Sequence, residues 1–539
     1  MKRILSLFLI LVFVGGLMPT ALAASSPAIT SNIDNHFYVN AQRWAVPIYS
    51  NLAYENGQYV RAECIGDALV VEYYDDNFQF LSGMTIDLEL PIYGGLYMAD
   101  DYNFMVVGQE NWEEDDEKEV FRIIRYTKDW QRVDHASLCG ANTVVPFEAG
   151  SLRFDRSGDI LYIRTAHEMY TNPDDNLNHQ ANVMIAVRIS DMTVTDHLTK
   201  VWNSSYGYVS HSFNQFVRVD GDTLLAVDHG DAYPRAVVLF KYSAKAGQET
   251  FYSRTTMVSV LNIINSTYHY NDTGVSVGGF EFSSTDYLIA GNAYDMSVSV
   301  DLMNAHRNIF VTATSKENFT EEGTAIHWIT DYTADDAVEV SPPHLLKVSD
   351  DRFFLTWTEN DVLKYCFLDG KGQLDGEIKT EEGALSDCAP IKVGNFAVWY
   401  VTDWSEPVFY KIMLEECKHS YTSVVTDPTC TEPGCITYAC HCGDTYTEEI
   451  PALGHDYVNG ICTRCGAAEG SVLMGDVNGD GQIDTTDAKI IMQYDLGMPN
   501  IDIDLLAADV NGDGVVDTTD AKLIMQLDVG IITEFPKVN

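Results

Sequence analysis

Residues 475–487 read GDVNGDGQIDTTD, and residues 508–520 read ADVNGDGVVDTTD. Taken to their full length, 475–497 and 508–530 are identical at 17 of 23 positions. Each copy places oxygen-bearing side chains at positions 1, 3, 5, 9 and 12 of a twelve-residue loop. Gly481 or Gly514 stands at position 6, where such a loop turns sharply. The side chains are Asp476, Asn478, Asp480, Asp484 and Asp487 in the first copy and Asp509, Asn511, Asp513, Asp517 and Asp520 in the second. Position 7, Gln482 or Val515, offers only its backbone carbonyl. Hard oxygen donors at this spacing suit Ca2+, which accepts six to eight oxygens in loose geometry, better than Mg2+. A stretch of the form AKxIMQxDxG follows each loop and reads as a helix.

This duplicated segment, residues 471–539, resembles a type I dockerin, the all-α, EF-hand-like module that plugs secreted enzymes into cohesin-bearing scaffoldins of cellulosomes. The resemblance implies a cohesin contact through loop positions 10 and 11 and the helix behind them. These are Thr485, Thr486, Met492 and Gln493, and in the second copy Thr518, Thr519, Met525 and Gln526. Near identity of the copies implies two equivalent, rotated poses. Ile490, Ile491, Leu523 and Ile524 divide between packing the helices and facing the partner. The segment holds 13 acids and 3 bases, a net charge of −10 that bound calcium partly neutralises.

Upstream, residues 416–468 hold seven of the 11 cysteines, in the patterns CxH, CxCG and CxxCG. Paired thiols followed by Gly form the knuckles of zinc ribbons. One expected zinc site joins Cys440, Cys442, Cys462 and Cys465; a second joins Cys417, His419, Cys430 and His455, leaving Cys435 over. Disulfides are the alternative in a secreted chain. A segment with so little apolar content needs one staple or the other. It resembles cysteine-rich repeats of secreted proteins from anaerobic Gram-positive bacteria, through its TxPTCTEPG-like and PALGHxY phrases, and is expected to act as a spacer or surface-binding element.

Residues 28–415 show no long amphipathic helix. Short apolar strands recur behind turns that carry Asp or Asn: Ala68–Tyr73, Asn103–Val107, Ile160–Arg164, Thr223–Val227, Tyr287–Ala290, Arg352–Trp357 and Phe396–Val401. Seven copies of a three- to four-strand unit predict a mainly β module, a seven-bladed β-propeller. A six-bladed ring and a pair of β-sandwiches are the rivals. The last copy lacks a fourth strand, which Phe37–Pro47 is expected to supply.

In a propeller the loops after every second strand share one face. Here they gather Asp75 and Asp76, Asp228 to Asp231, and the words TAHEMY at 165–170, NHQAN at 178–182 and SHSFNQF at 210–216. Dense acceptors and donors among aromatic faces suit sugar hydroxyls and pyranose rings. The candidate catalytic carboxylates are Glu168, Asp228 and Asp231, with His167, His211 and His229 as proton partners. Together with the dockerin resemblance, this implies glycoside hydrolysis or lyase cleavage of a polysaccharide. The alternative is a non-catalytic subunit that holds glycan or protein on the same face.

The chain of 539 residues carries 79 acidic and 33 basic side chains, a net charge of −46. That balance argues against nucleic acid and anionic membranes as partners, because phosphate binding needs clustered Lys and Arg. Lys2 and Arg3, the apolar run Ile4–Val14 and Ala21-Leu22-Ala23 read as a secretory signal peptide ending near residue 23, which predicts an extracellular, cellulosome-associated protein without a membrane span. How Cys64, Cys139, Cys366 and Cys388 pair is left open.

Overall fold

A computed structural model of the chain describes residues 22–23, 31–36, 45–263, 273–294, 306–333, 336, 338–403, 406–415, 419–440, 444–467 and 472–536. Of the leader read at residues 1–23, residues 1–21 lie outside this set, as do Cys417 and Cys442. The chain divides into two units, Met1–Glu415 and Glu416–Asn539.

The first unit is built from seven successive four-stranded antiparallel sheets, the blades. Their first strands are Ser50–Glu55, Ile92–Met98, Arg153–Ser157, Ser210–Asp220, Val275–Phe282, His344–Ser349 and Ile391–Val393. Successive first strands from blade 3 onward lie against one another, and that of blade 7 returns to that of blade 1. All seven contribute to the lining of one axial cavity of about 320 Å³. The ring is therefore closed, with seven blades rather than six, and it is not a pair of sandwiches. Blades 3 and 4 are fused into a larger sheet by a single pairing, Ala181 with Ser210, and by an extra strand, Thr143–Pro146.

Burial explains why the second strands stand out in the sequence. Both their faces pack against neighbouring blades, so Leu224, Leu225, Ala226 and Val227 are all 0% exposed, as are Phe353, Phe354 and Leu355. Such strands read as continuous apolar runs, each large side chain contributing roughly 1.5–3 kcal/mol. Near the axis the first strands are crowded. A Cβ on Gly278 would stand 1.9 Å from the Pro343 carbonyl oxygen, so only glycine fits.

Blade 1 departs from the expected register. Its strands are Ser50–Glu55, Gln58–Ile65, Ala68–Tyr74 and Phe80–Asp87, so the apolar run beginning at Ala68 is the third strand, not the second. The first hairpin turns at Asn56-Gly57, both at positive φ (53° and 77°), the backbone a two-residue hairpin loop demands. Asp75 and Asp76 consequently follow a third strand and belong to the opposite face from the second-strand loops.

Leu22–Ala23, the end of the leader read at 1–23, pairs with Val408–Met413 of blade 7; of the expected closing segment Phe37–Pro47, residues 37–44 lie outside the described set and 45–47 form no strand. Asn32 ties the two ends of the module. Its N–H donates to the Thr402 carbonyl at 3.0 Å, and its side-chain oxygen accepts from Thr402 N at 2.6 Å.

The second unit holds a three-stranded sheet, Tyr421–Thr426, Gly434–Cys440 and Thr445–Ile450, and a small hairpin, Tyr457–Val458 with Ile461–Cys462. Its helices are Thr485–Asp495, Leu505–Ala508 and Thr518–Asp528. Both long helices start with reciprocal capping boxes, Asp484 with Asp487 and Asp517 with Asp520. Ile491 and Ile524 are fully buried between them with Ala488 and Ala521, whereas Ile490 and Leu523 are half-buried. No helix among the described residues is long and apolar enough to cross a membrane.

Candidate functional site

The second strands of blades 3 and 4, Ile160–Thr171 and Thr223–Tyr233, run several residues beyond the ordinary blade length. The six candidate catalytic residues therefore sit on strands rather than loops, and strand alternation sorts them. His167 is fully buried; its Nδ1 meets Thr143 Oγ1 at 2.6 Å, its Nε2 has no partner, and burial drives its pKa down to about 3. Next to it, Glu168 is half-buried, and burial with Glu148 and Glu110 nearby raises its carboxyl above the usual range.

Asp228 is fully buried. One carboxylate oxygen receives Arg164 Nε at 2.9 Å as well as Arg164 Nη2, and the other receives Ser212 Oγ at 2.8 Å. Arg164 also donates to Tyr242 Oη at 2.9 Å and to the Gly207 carbonyl at 3.1 Å. This pair locks blade 3 to blade 4, and its carboxylate has no exposed edge for substrate. His229 is buried likewise, with Nδ1 3.3 Å from Asn214 Oδ1, and burial holds its pKa down near about 3. His167 and His229 are thus neutral imidazoles at ordinary pH.

His211 and Asp231 form a different kind of pair. His211 Nδ1 lies 3.0 Å from Asp231 Oδ1; the imidazole is 40% exposed and the carboxylate 4%. Hydrogen bonding to Asp231 raises the His211 pKa. The first strand of blade 4 is irregular here, with register shifts at Ser210/Ser212 and Phe213/Phe216. His211 and Asn214 take positive φ, 50° and 49°, at these irregularities. A bulged strand re-aims its side chains, which is how His211 leaves the ladder to meet Asp231. His179 stacks on His211 at 6.2 Å between ring centroids and carries its own carboxylate, Asp175, at 2.7 Å. Gln180, opposite Glu168 in the ladder, clasps Ser212 through both its amide and carbonyl groups at 2.5 Å. The structure thus gathers His211, Asp231, His179 and Gln180 at the junction of blades 3 and 4. It assigns Asp228, His167 and His229 to the interior. Ser212 falls in the SHSFNQF word, whereas Arg164 was not singled out from sequence, though it precedes Asp228 by 64 residues, close to the spacing of neighbouring blades.

The cysteines regroup. Cys430, His455, Cys462 and Cys465 bring one ligand atom each within 4.8 Å of one another. This set takes two members from each of the expected zinc sites, because the hairpin Tyr457–Cys462 carries Cys462 beside Cys430 rather than beside Cys440. Cys440 instead lies opposite Tyr421 in the three-stranded sheet. Cys430 Sγ and Cys462 Sγ are 3.8 Å apart, and Cys465 Sγ is 3.3 Å from His455 Nδ1. Such a donor set can hold a metal ion. Among the described residues, Cys64, Cys139, Cys366, Cys388, Cys430, Cys435, Cys462 and Cys465 form no disulfide.

In the duplicated loops, Asp476 and Asp509 occupy matching positions. Asp476 Oδ1 accepts from Gly479 N and Asp480 N at 2.8 and 3.1 Å, and Asp509 Oδ1 accepts from Gly512 N and Asp513 N at the same distances. Asp487 and Asp520 are fully buried, and among the described residues neither forms an ion pair with Lys or Arg. Burial, with Asp509 and Asp517 close by, pushes the Asp520 carboxyl up. Buried carboxylates facing further carboxylates are the setting a divalent cation neutralises, so these residues fit calcium. Thr485, Thr486, Thr518 and Thr519 are exposed, while Met492, Gln493, Met525 and Gln526 are half-buried.

No curated protein matches the chain. Solved structures similar to it include one from a structural study of two prolyl endopeptidases, 10% identical over 76% of this chain and 56% of that one, TM-score 0.35. Polysaccharide lyase Uly1 is 12% identical over 68% of this chain and 91% of that one, TM-score 0.37. Prolyl oligopeptidase B from Galerina marginata is 7% identical over 76% and 56%, TM-score 0.40. The chain spans little more than half the length of the prolyl peptidases, and likenesses this distant assign no activity. The profile of the dockerin type I domain, in contrast, matches residues 474–527, over both calcium loops and both long helices. This protein therefore carries, after its propeller-like β module, a dockerin type I domain.

Proposed function

We propose that this is a secreted cellulosome component whose dockerin binds a scaffoldin cohesin with calcium in both loops and whose propeller acts on polysaccharide at the junction of blades 3 and 4. The carrying observation is the His211–Asp231 pair, a part-exposed imidazole held at 3.0 Å by a buried carboxylate. A carboxylate that fixes one ring nitrogen sets the tautomer and leaves the other nitrogen to take or give a proton. That arrangement favours lyase cleavage, which begins with proton abstraction beside a carbonyl. Two-carboxylate hydrolysis has less support, since Asp228 is held by Arg164. The reading is tested by incubating the full chain with a panel of polysaccharides and assaying reducing ends and unsaturated products separately.

The second reading is a binding subunit without turnover. It is favoured by the burial of three of the six candidates, His167, Asp228 and His229. On that reading the panel yields retention of glycan and no new reducing ends.

The cluster at Cys430 is read as a zinc site. Four ligands at about 2.3 Å in a tetrahedron put neighbouring sulfurs about 3.8 Å apart, whereas a disulfide holds them at about 2.0 Å. The Cys430–Cys462 separation of 3.8 Å matches the tetrahedral edge.

A further inference from the structure

We propose that the axial cavity of the propeller is a binding site for a single carboxylate-bearing sugar, a uronate, whose carboxylate is received by Arg153. The cavity, about 320 Å³, lies at the lower end of the range for small-ligand pockets. A second cavity of about 60 Å³ shares Arg153, His344 and Asp387 with it.

Arg153 is the group that sets the ligand's charge. Its guanidinium lies over the Phe216 ring, 4.7 Å from the centroid, and its Nη1 donates to the neighbouring Leu152 carbonyl at 3.2 Å. Among the described residues no carboxylate oxygen lies within 4.0 Å of it, although the chain carries 79 acids. The other guanidinium lining the cavity, Arg218, is matched by Glu281 at 2.9 Å and by the Phe280 carbonyl at 3.1 Å. Arg153, part-buried in the cavity wall, has no ion-pair partner within hydrogen-bonding reach among the described residues, and a planar guanidinium meets a carboxylate through two parallel hydrogen bonds.

Asp387, in the same lining, attracts Arg153 electrostatically but forms no ion pair with it. Asp387 receives Asn35 Nδ2 at 3.1 Å and Tyr49 N at 2.9 Å through Oδ2, and burial raises its pKa to about 7. His344 Nε2 lies 2.8 Å from the Ser386 carbonyl, and burial keeps the ring neutral, with a pKa of about 4. Tyr97, Phe154, Phe216 and Phe280 supply aromatic wall. A cation set in aromatic walls selects an acidic sugar over both a neutral sugar and a bare anion. This site is distinct from the His211–Asp231 pair, so binding here is measured whether or not the chain turns over a polymer.

Isothermal titration calorimetry of the full chain with galacturonate, galactose and inorganic phosphate tests the proposal. Saturable one-to-one binding of galacturonate is expected, at least tenfold tighter than galactose or phosphate. Arg153→Gln should weaken it tenfold or more with the melting temperature unchanged. If Arg153→Gln fails to fold, Arg153→Lys serves, since it keeps the charge and loses the paired geometry. Phosphate binding as tightly as galacturonate would overturn the sugar assignment. No galacturonate binding, or binding indifferent to Arg153, would overturn the site.

Discussion

Arg164 and Asp228 form a fully buried ion pair between blades 3 and 4, with Arg164 Nε 2.9 Å from Asp228 Oδ2. Each residue lies on the second strand of its blade, so the pair joins the second strands of two adjacent repeats. Removing one partner leaves the other charge buried alone. Asp228→Ala is expected to destabilise the propeller by about 3–5 kcal/mol in urea unfolding. Replacing both residues with leucine should recover much of that loss. Wild-type stability in Asp228→Ala would show that the pair does not join the blades.

The His211 pKa is raised above its ordinary value, first through its hydrogen bond to Asp231. The sign follows from linkage. A raised folded-state pKa gives stability that is fully present below the ordinary value of about 6.5 and is lost as pH climbs through the folded-state value. The imidazole is 40% exposed, so solvent screens the effect and the titration itself is the better observable. NMR should show His211 titrating above the usual histidine range, and Asp231→Asn should return it there. An unshifted His211 in the wild type would remove the pair from the proposed chemistry.

The two calcium loops are near copies, and each should bind one ion. Calorimetry should count two calcium ions per chain, and Asp476→Ala should reduce the count to one. Chelation should melt the helices Thr485–Asp495 and Thr518–Asp528, seen as lost helical circular dichroism, and abolish cohesin binding. Cohesin binding that survives chelation would contradict the ligand set.

Metal analysis separates the two readings of the cysteine segment. Cys465→Ser should lower bound zinc by one equivalent per chain relative to wild type, and Cys435→Ser should not. An unchanged zinc content in Cys465→Ser, or a Cys430–Cys462 disulfide in the purified chain, would refute the site.

Much of the ring was legible because second strands are buried on both faces, so runs such as Thr223–Val227 and Arg352–Trp357 stand out without alignment. Blade 1 was shifted by one strand because the run at Ala68 is as apolar as a second strand, while the decisive signal was the short Asn56-Gly57 turn. The duplicated dockerin segment was legible because every residue of its pattern is local in sequence. The candidate site was legible only as a region. Whether Asp228 faces solvent or Arg164 depends on a contact 64 residues away, and whether His167 or Glu168 is buried depends on the strand Thr143–Pro146 laid against them. For the cysteines too, residue types are legible in sequence, while the fold decides which of the described ones meet.

The most direct test of the proposed function is product analysis on acidic polysaccharides by the full chain, its His211→Gln and Asp231→Asn variants, and Thr485→Ala as a dockerin control. Unsaturated products from the wild type and from Thr485→Ala, falling by 100-fold or more in both other variants, are the predicted result. The contrary result is no product from any form, or equal product from all of them.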